Sequence, residues 1–211
     1  VRIVGLPAFI GIDNFGWIHR RLEDMTGLLI YKVPTLPPSI LGMRIDRALK
    51  TRFADLGGEL SAGDKVFGGE IIDGMLDHVH TENYGSTRHR SRFYVFSTGS
   101  FFSGGIRSEF NKIEEPILKL RMSGSQERSK WYSESFFDKK GHPFLSYGVD
   151  TGKTLNPYGA DGKTVKNLFC VGSILAGYDP IREGSGGGVA ISTGYYAAGK
   201  IISARKKADL A

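Results

Sequence analysis

The sequence predicts an α/β fold, and three observations predict it. Two short apolar runs, RFYVFSTGS at 92–100 and TVKNLFCVGS at 164–173, each end abruptly in a turn of small residues. Their apolar residues are consecutive rather than alternating, which suits strands covered on both faces, as in a parallel sheet. The third segment, EGSGGGVAISTGYYAAGKI at 183–201, sets three consecutive glycines immediately ahead of a helical stretch. Glycine is costly to order, so such a run needs a reason beyond starting a helix.

At 211 residues the chain is long enough for one large domain or two small ones. A hydrophobic share of 40% and a charged share of 24% are those of an ordinary soluble globular protein. The one cysteine, Cys170, excludes an internal disulfide framework and fits a reducing compartment. Inside NLFCVGS it reads as a buried small hydrophobe rather than a nucleophile. No apolar run approaches the roughly 20 residues that span a bilayer, and no secretory signal opens the chain. It begins without methionine, in VRIVGLPAFIGID, and is read as a fragment or a processed product.

The net charge of +6 admits an acidic partner, either lipid heads or a protein face. The basic residues are scattered, however, apart from RHRSR at 88–92 and RKK at 205–207. With no zinc-ligand spacing and no aromatic platform among them, nucleic acid is not an expected partner, and a solvated surface is the simpler reading.

Taken in order, residues 1–43 mix short apolar pieces with turn residues. They close in VPTLPPSILGMR, where Pro34, Pro37 and Pro38 oppose helix and suggest an extended link. From Arg44 a helix is expected, because Ile45, Leu49, Phe53 and Leu56 share one face; Gly57 and Gly58 end it. DKVF, GEIID and LDHVHTE read as short strands, with Asp73-Gly74 a two-residue hairpin turn. His78 and His80 fall on one face of such a strand; without a third ligand nearby they are expected to face solvent, and no metal site is expected. The stretch 106–163, with WYSESFF and HPFLSYG, reads as loops and small elements packed over something else.

In open α/β sheets ligands lie outside the carboxyl ends of the strands. Thr98-Gly99-Ser100 and Gly172-Ser173 end the two buried strands, and bare Gly186, Gly187 and Gly188 would leave helix N–H groups free to touch a ligand. Ala190, Gly194, Ala197, Ala198 and Ile201 would press that helix onto the sheet. A flexible glycine loop before an ordinary surface helix is the alternative, and the glycines alone leave it open; three segments meeting at one sheet edge favour a cofactor. GSGGG lacks the lysine and Ser/Thr of a phosphate loop, and its spacing is not a dinucleotide fingerprint. A flat ring resting on backbone suits it, which describes a flavin.

Six separated motifs carry a family resemblance: LPAFIGID at 6–13, PTLPPSILGMR at 34–44, STGSFFSGG at 97–105, EEPIL at 114–118, FLSYGVDTGKTLNP at 144–157 and NLFCVGSILAGYDPIREGSGGGV at 167–189. In this order, over nearly the whole chain, they resemble the B subunits of the anaerobic glycerol-3-phosphate dehydrogenases, within the fumarate-reductase-like flavoproteins. The resemblance implies an α/β flavoprotein fold of the FAD/NAD(P)-binding kind, truncated of its N-terminal βαβ unit, with a side β-sheet and parts of a cap or substrate domain. Residues 1–43 would be cap or substrate-side structure. Residues 44–105 would supply a flavin-domain helix, the side sheet and a buried strand. Residues 106–163 would return to the cap, and 164–211 would form the last flavin-domain strand and helix.

The resemblance further implies flavin contacts from Thr98, Gly99, Ser100, Gly172, Ser173, Gly186, Gly187, Gly188 and Val189. FMN is the expected cofactor, with FAD the alternative. Arg44 is a candidate for gripping a phosphate substrate, against the reading of an arginine on a solvated helix face. No catalytic residue is assigned; Arg107, Asp179, Arg182 and Glu183 are polar neighbours, and His142 a proton carrier by residue type alone. Ser173 stands where relatives often carry an acid, and the G-x-G-x-x-G unit that would hold a dinucleotide's pyrophosphate is absent, so flavin binding by this segment alone stays open.

By the same resemblance the chain would serve oxidation of sn-glycerol 3-phosphate to dihydroxyacetone phosphate, with electrons passed to the quinone pool. Its partners would be the catalytic (A) and iron–sulfur (C) subunits of the same dehydrogenase, in a cytoplasmic complex peripheral on the inner face of the cell membrane. Two alternatives remain: another flavoprotein oxidoreductase of the same fold, or a non-catalytic scaffold or electron-relay component.

Overall fold

The computed structural model describes residues 2–36 and 39–208, which divide into two compact units, 1–63 and 64–211. Each is built differently.

The first unit is a βαβ arrangement. Strand β1 (Ile3–Pro7) pairs in parallel with β2 (Leu29–Val33), and helix α1 (Phe15–Thr26) makes the crossover. Gly27 ends α1 in the left-handed conformation, its N–H donating to the Glu23 carbonyl at 2.8 Å. The Glu23 carboxylate then accepts from the Ile30 amide at 3.0 Å, and the His19 ring donates to the Ile30 carbonyl at 2.7 Å, so β2 is tied to the helix through polar contacts. Apolar burial is slight: Ala8, Ile10 and Ile30 are the buried hydrophobics described here.

Helix α2 (Ile40–Asp55) begins four residues earlier than the pattern predicts, because the Ser39 hydroxyl accepts from the Gly42 amide at 3.1 Å and caps it. Pro37 and Pro38 of the expected link lie outside the described residues. The predicted apolar face, Ile45, Leu49, Phe53 and Leu56, is 49–69% exposed. The helix instead engages its own unit through Arg44, which reaches back to Gly11, so α2 groups with the segment before it rather than with the strands after it.

The second unit opens on a hairpin of β3 (Val66–Ile72) and β4 (Met75–Thr81), whose turn residues Asp73 and Gly74 both have positive φ, 49° and 73°. That is the turn the Asp-Gly pair predicts. Next come β5 (Tyr94–Phe96), β6 (Arg107–Glu109) paired with β7 (Lys112–Glu114), and β8 (Met122–Ser123) paired with β9 (Gly148–Val149). Strand β10 (Leu168–Cys170) then runs parallel to β5, with Leu168 opposite Tyr94 and Cys170 opposite Phe96. Short helix α3 (Pro180–Glu183) leads into α4 (Gly186–Ala208).

All three residues of β10 are buried, as expected for a strand covered on both faces, but Val95 at the centre of β5 is 52% exposed. The side chain of Asn167 stitches the hairpin to β10's entry, accepting from the Leu76 amide at 2.8 Å and donating to the Leu76 carbonyl at 2.9 Å. The stretch 106–163 is not an overlay: Ile106, Ile113, Leu118, Leu120, Trp131 and Val149 share one core with Phe96, Leu168 and Ile174. At its heart Glu115 is fully buried, its carboxylate accepting from the amides of Ile117, Leu118 and Leu120.

Candidate functional site

The site grows from the carboxyl ends of β5 and β10. Because the strands are parallel and adjacent, the two chain segments leave the sheet on the same edge. Each then turns through a glycine in the left-handed region, Gly99 at φ +90° and Gly172 at φ +72°. The turns touch: a Cβ on Gly99 would stand 3.6 Å from the Ser173 hydroxyl and 1.9 Å from that of Ser103. Helix α4 joins them from the other side. The Gly172 amide donates to the Thr193 hydroxyl at 2.9 Å, and a Cβ on Gly172 would rest 3.9 Å from Ala190.

The turns thus bring Gly99, Gly172 and Ser173 together, with Thr98 and Ser100 adjoining Gly99 in sequence, while α4 reaches Gly172 through Ala190 and Thr193, packs Val189 on the core and opens on Gly186, Gly187 and Gly188. Ser100 is spent locally, its hydroxyl accepting from the Phe102 amide at 3.4 Å. Gly186, Gly187 and Gly188 form the first turn of α4 rather than a loop before it, so the flexible-loop alternative falls. Beyond the helix's own backbone, no described residue comes within 4 Å of a Cβ built on Gly187 or Gly188. The protein itself leaves that space bare.

Helix α4 packs through a narrower face than the sequence indicates. Ala197 is fully buried beside Phe169 and Val171, and Ile201 packs there too. Ala190 and Ala198 are exposed. Thr193, which lies outside every motif, is the anchor: its hydroxyl also donates to the Val189 carbonyl at 2.6 Å. Only its spacing from the glycines hints at this.

Whether these residues suit a flavin is answered by two polar atoms. The Thr98 hydroxyl and the Tyr178 phenol oxygen are both buried without a hydrogen-bond partner among the described residues. Buried polar atoms are rarely left so, and the exceptions call for a partner outside the chain. Burial, and then the Glu183 carboxylate, raise the pKa of the Tyr178 phenol, keeping it a proton-bearing donor. The first-turn amides of α4 lack acceptors within the helix. Ser185, placed to cap them, instead donates to the Glu183 carboxylate at 3.1 Å. Open donors, the positive end of a helix dipole and orphaned buried hydroxyls form a donor set that fits a planar, electron-accepting group.

Most of the other candidates are occupied. Asp179 caps α3, accepting from the Ile181 and Arg182 amides at 3.0 and 3.1 Å, while Glu183 accepts from the Asp179 amide at 3.0 Å. His142 has one ring nitrogen on the Ser133 amide and the other on the Phe136 carbonyl, both at 3.1 Å. Arg182 donates to the Lys140 carbonyl, and Arg107 lies exposed on β6. Arg44 belongs to the first unit. Its Nε donates to the Gly11 carbonyl at 2.8 Å, its Nη2 to Gly11 and Ile10, and its guanidinium stacks 4.1 Å from the Phe15 ring centre. Most of the fork expected to grip a phosphate is thus committed to backbone. Cys170 is fully buried, which pushes its thiol far above the usual range and confirms it as a core residue. Among the described residues no three His, Cys, Asp or Glu side chains gather to hold a metal.

Residues 2–189 match the protein family described as FAD binding domain. The B subunit of the anaerobic glycerol-3-phosphate dehydrogenase of Vibrio cholerae is 40% identical over 201 residues, covering 95% of this chain and 46% of that protein. Its namesake in Vibrio vulnificus is 41% identical over 192 residues, covering 90% and 44%, and that of Aliivibrio fischeri 39% identical over 217 residues, covering 98% and 48%. The chain spans about half the length of these relatives. The resemblance carried by the six motifs agrees with these names. The matched family is described by FAD, so FMN as the main choice is without support. No solved structure matches the chain.

Proposed function

The chain belongs to the FAD binding domain family, and from that premise we propose that its second unit forms the ring-side part of an FAD site in a flavoprotein oxidoreductase. The carrying observation is the meeting of the Gly99 and Gly172 turns at the sheet edge, the second tied to α4 through Thr193, with the buried Thr98 hydroxyl beside Gly99 lacking a partner among the described residues. Thr98 would hydrogen-bond the cofactor, with Ser173 beside it. The amides of Gly187 and Gly188 would face the part of the ring that gains negative charge, where the helix dipole is favourable. Val189 would pack against the ring, and Tyr178 would donate from its buried phenol. A bound flavin accepts a hydride and releases electrons singly.

The relatives' names support a place as the B subunit of an anaerobic glycerol-3-phosphate dehydrogenase. In this reading the complex oxidises sn-glycerol 3-phosphate to dihydroxyacetone phosphate and delivers electrons to quinone. The partners are the catalytic (A) and iron–sulfur (C) subunits of that dehydrogenase, on the inner face of the cell membrane. Among the described residues no helix is long and apolar enough to cross a membrane; in this reading attachment comes through the complex.

A second reading, electron relay without substrate chemistry, is favoured by one observation. Asp179, Glu183 and His142 are all engaged in backbone or hydroxyl bonds and are not poised to move a proton. Adding glycerol 3-phosphate to the full-length flavoprotein, with and without its partners, tests the division. Bleaching of the flavin by substrate alone assigns the oxidation to this chain, and bleaching only with partners present assigns relay.

A further inference from the structure

The hairpin of the second unit holds a histidine pair that the flavin reading does not use. His78 is 2% exposed, against the expectation that it faces solvent, and His80 is half-buried beside it on β4. The Nδ1 of His78 lies 2.7 Å from the Asp77 carboxylate, and the Nδ1 of His80 lies 3.2 Å from the Thr87 carbonyl. Both partners are acceptors only, so the network assigns the proton to Nδ1 in each ring. That leaves a lone pair on each Nε2, yet the two Nε2 atoms are 2.9 Å apart. Facing lone pairs at this distance repel, and a cation between them resolves the conflict.

The ring geometry selects the kind of cation. A proton shared along a straight N–H···N line would set the ring centres about 5.2 Å apart. The centres are 4.6 Å apart with planes at 82°, closer than that line allows, so at least one ring axis is turned away from the N···N line. Two imidazoles bound to one metal at about 2.0–2.1 Å and at about 90° have Nε2 atoms about 2.9 Å apart and ring centres about 4.5 Å apart. The surroundings fit as well. The Asp77 carboxylate on Nδ1 is the outer partner that metal-bound histidines commonly have, and Arg90 holds that carboxylate at 2.9 Å.

We propose that His78 and His80 form a two-point chelate for a divalent first-row ion that accepts right-angled ligands, Ni²⁺ or Cu²⁺, with water completing the coordination. A near-right angle suits tetragonal or octahedral ions better than tetrahedral zinc. The i, i+2 spacing on a strand places both rings on one face, and the Thr87 carbonyl fixes the second ring from the adjoining loop.

The test is equilibrium dialysis of chelator-treated full-length protein against NiCl2, with bound metal measured by mass spectrometry. One equivalent is expected to bind, and His80→Gln is expected to weaken binding by at least about tenfold while flavin content stays unchanged. Absence of binding, or equal binding by His80→Gln, overturns the proposal. An independent readout needs no variant: on adding Ni²⁺, the ring resonances of His78 and His80 should broaden before those of His19, His89 and His142. Resonances of the pair that persist unchanged under excess Ni²⁺ identify a shared proton instead and also overturn it.

Discussion

The Gly172 amide donates to the Thr193 hydroxyl at 2.9 Å, and that hydroxyl donates to the Val189 carbonyl at 2.6 Å. One side chain thereby locks the end of β10 to the first turns of α4 without help from any ligand. Thr193→Val keeps the volume but leaves the Gly172 amide unpaired. A loss of about 1–2 kcal/mol in unfolding free energy is expected, measured by urea denaturation, together with weaker flavin retention.

Gly187→Leu separates cofactor binding from folding. Beyond the helix's own backbone no described residue lies within 4 Å of a Cβ at that position, and replacing glycine in a helix favours folding by about 0.5–1 kcal/mol before any ligand is considered. The melting temperature of the apoprotein should hold or rise while flavin content falls sharply. A fall in both would place the glycines in the service of the fold instead.

Thr98→Val makes the complementary case. The hydroxyl is buried with no partner among the described residues, so removing it relieves an unmet hydrogen-bonding requirement of about 1–3 kcal/mol. The apoprotein should become more stable and the flavin complex weaker, read by thermal melts with and without added FAD.

The turns at Gly99 and Gly172 and the glycine opening of α4 were legible because small residues at strand ends and the helix start are dictated by local backbone needs, which sequence records directly. The Asp73-Gly74 turn was legible for the same reason. The βαβ unit at residues 3–33 was missed because α1 buries none of its residues; Phe15, Ile18 and Leu22 give only a thin apolar stripe, and Gly27 was the better clue. The burial of His78 could not be read either, since it depends on the Asp77 carboxylate engaging its Nδ1 and on His80 packing edge-on beside it. Arg44's engagement with Gly11 joins residues 33 apart, a distance that periodicity does not reach.

Asp77 gives the hairpin a defined pH response. Its hydrogen bonds to Arg90, and next to His78, pull its carboxyl down to about 2. A carboxyl depressed on folding stabilises the native state above its unfolded value of about 3.9. That contribution is lost as the pH falls from about 4 to about 2. Amide exchange in residues 75–81 should therefore accelerate over this window in the wild type, and Asp77→Asn should remove that dependence.

The most direct measurement is the flavin released from full-length protein purified with its partners, quantified by absorbance and identified by mass. About one FAD per chain, lost in the Thr98→Val, Gly187→Leu double variant while the fold persists, is the predicted result. Protein that stays colourless after incubation with FAD, or a double variant that keeps its full complement, would contradict a cofactor seated where β5, β10 and α4 meet.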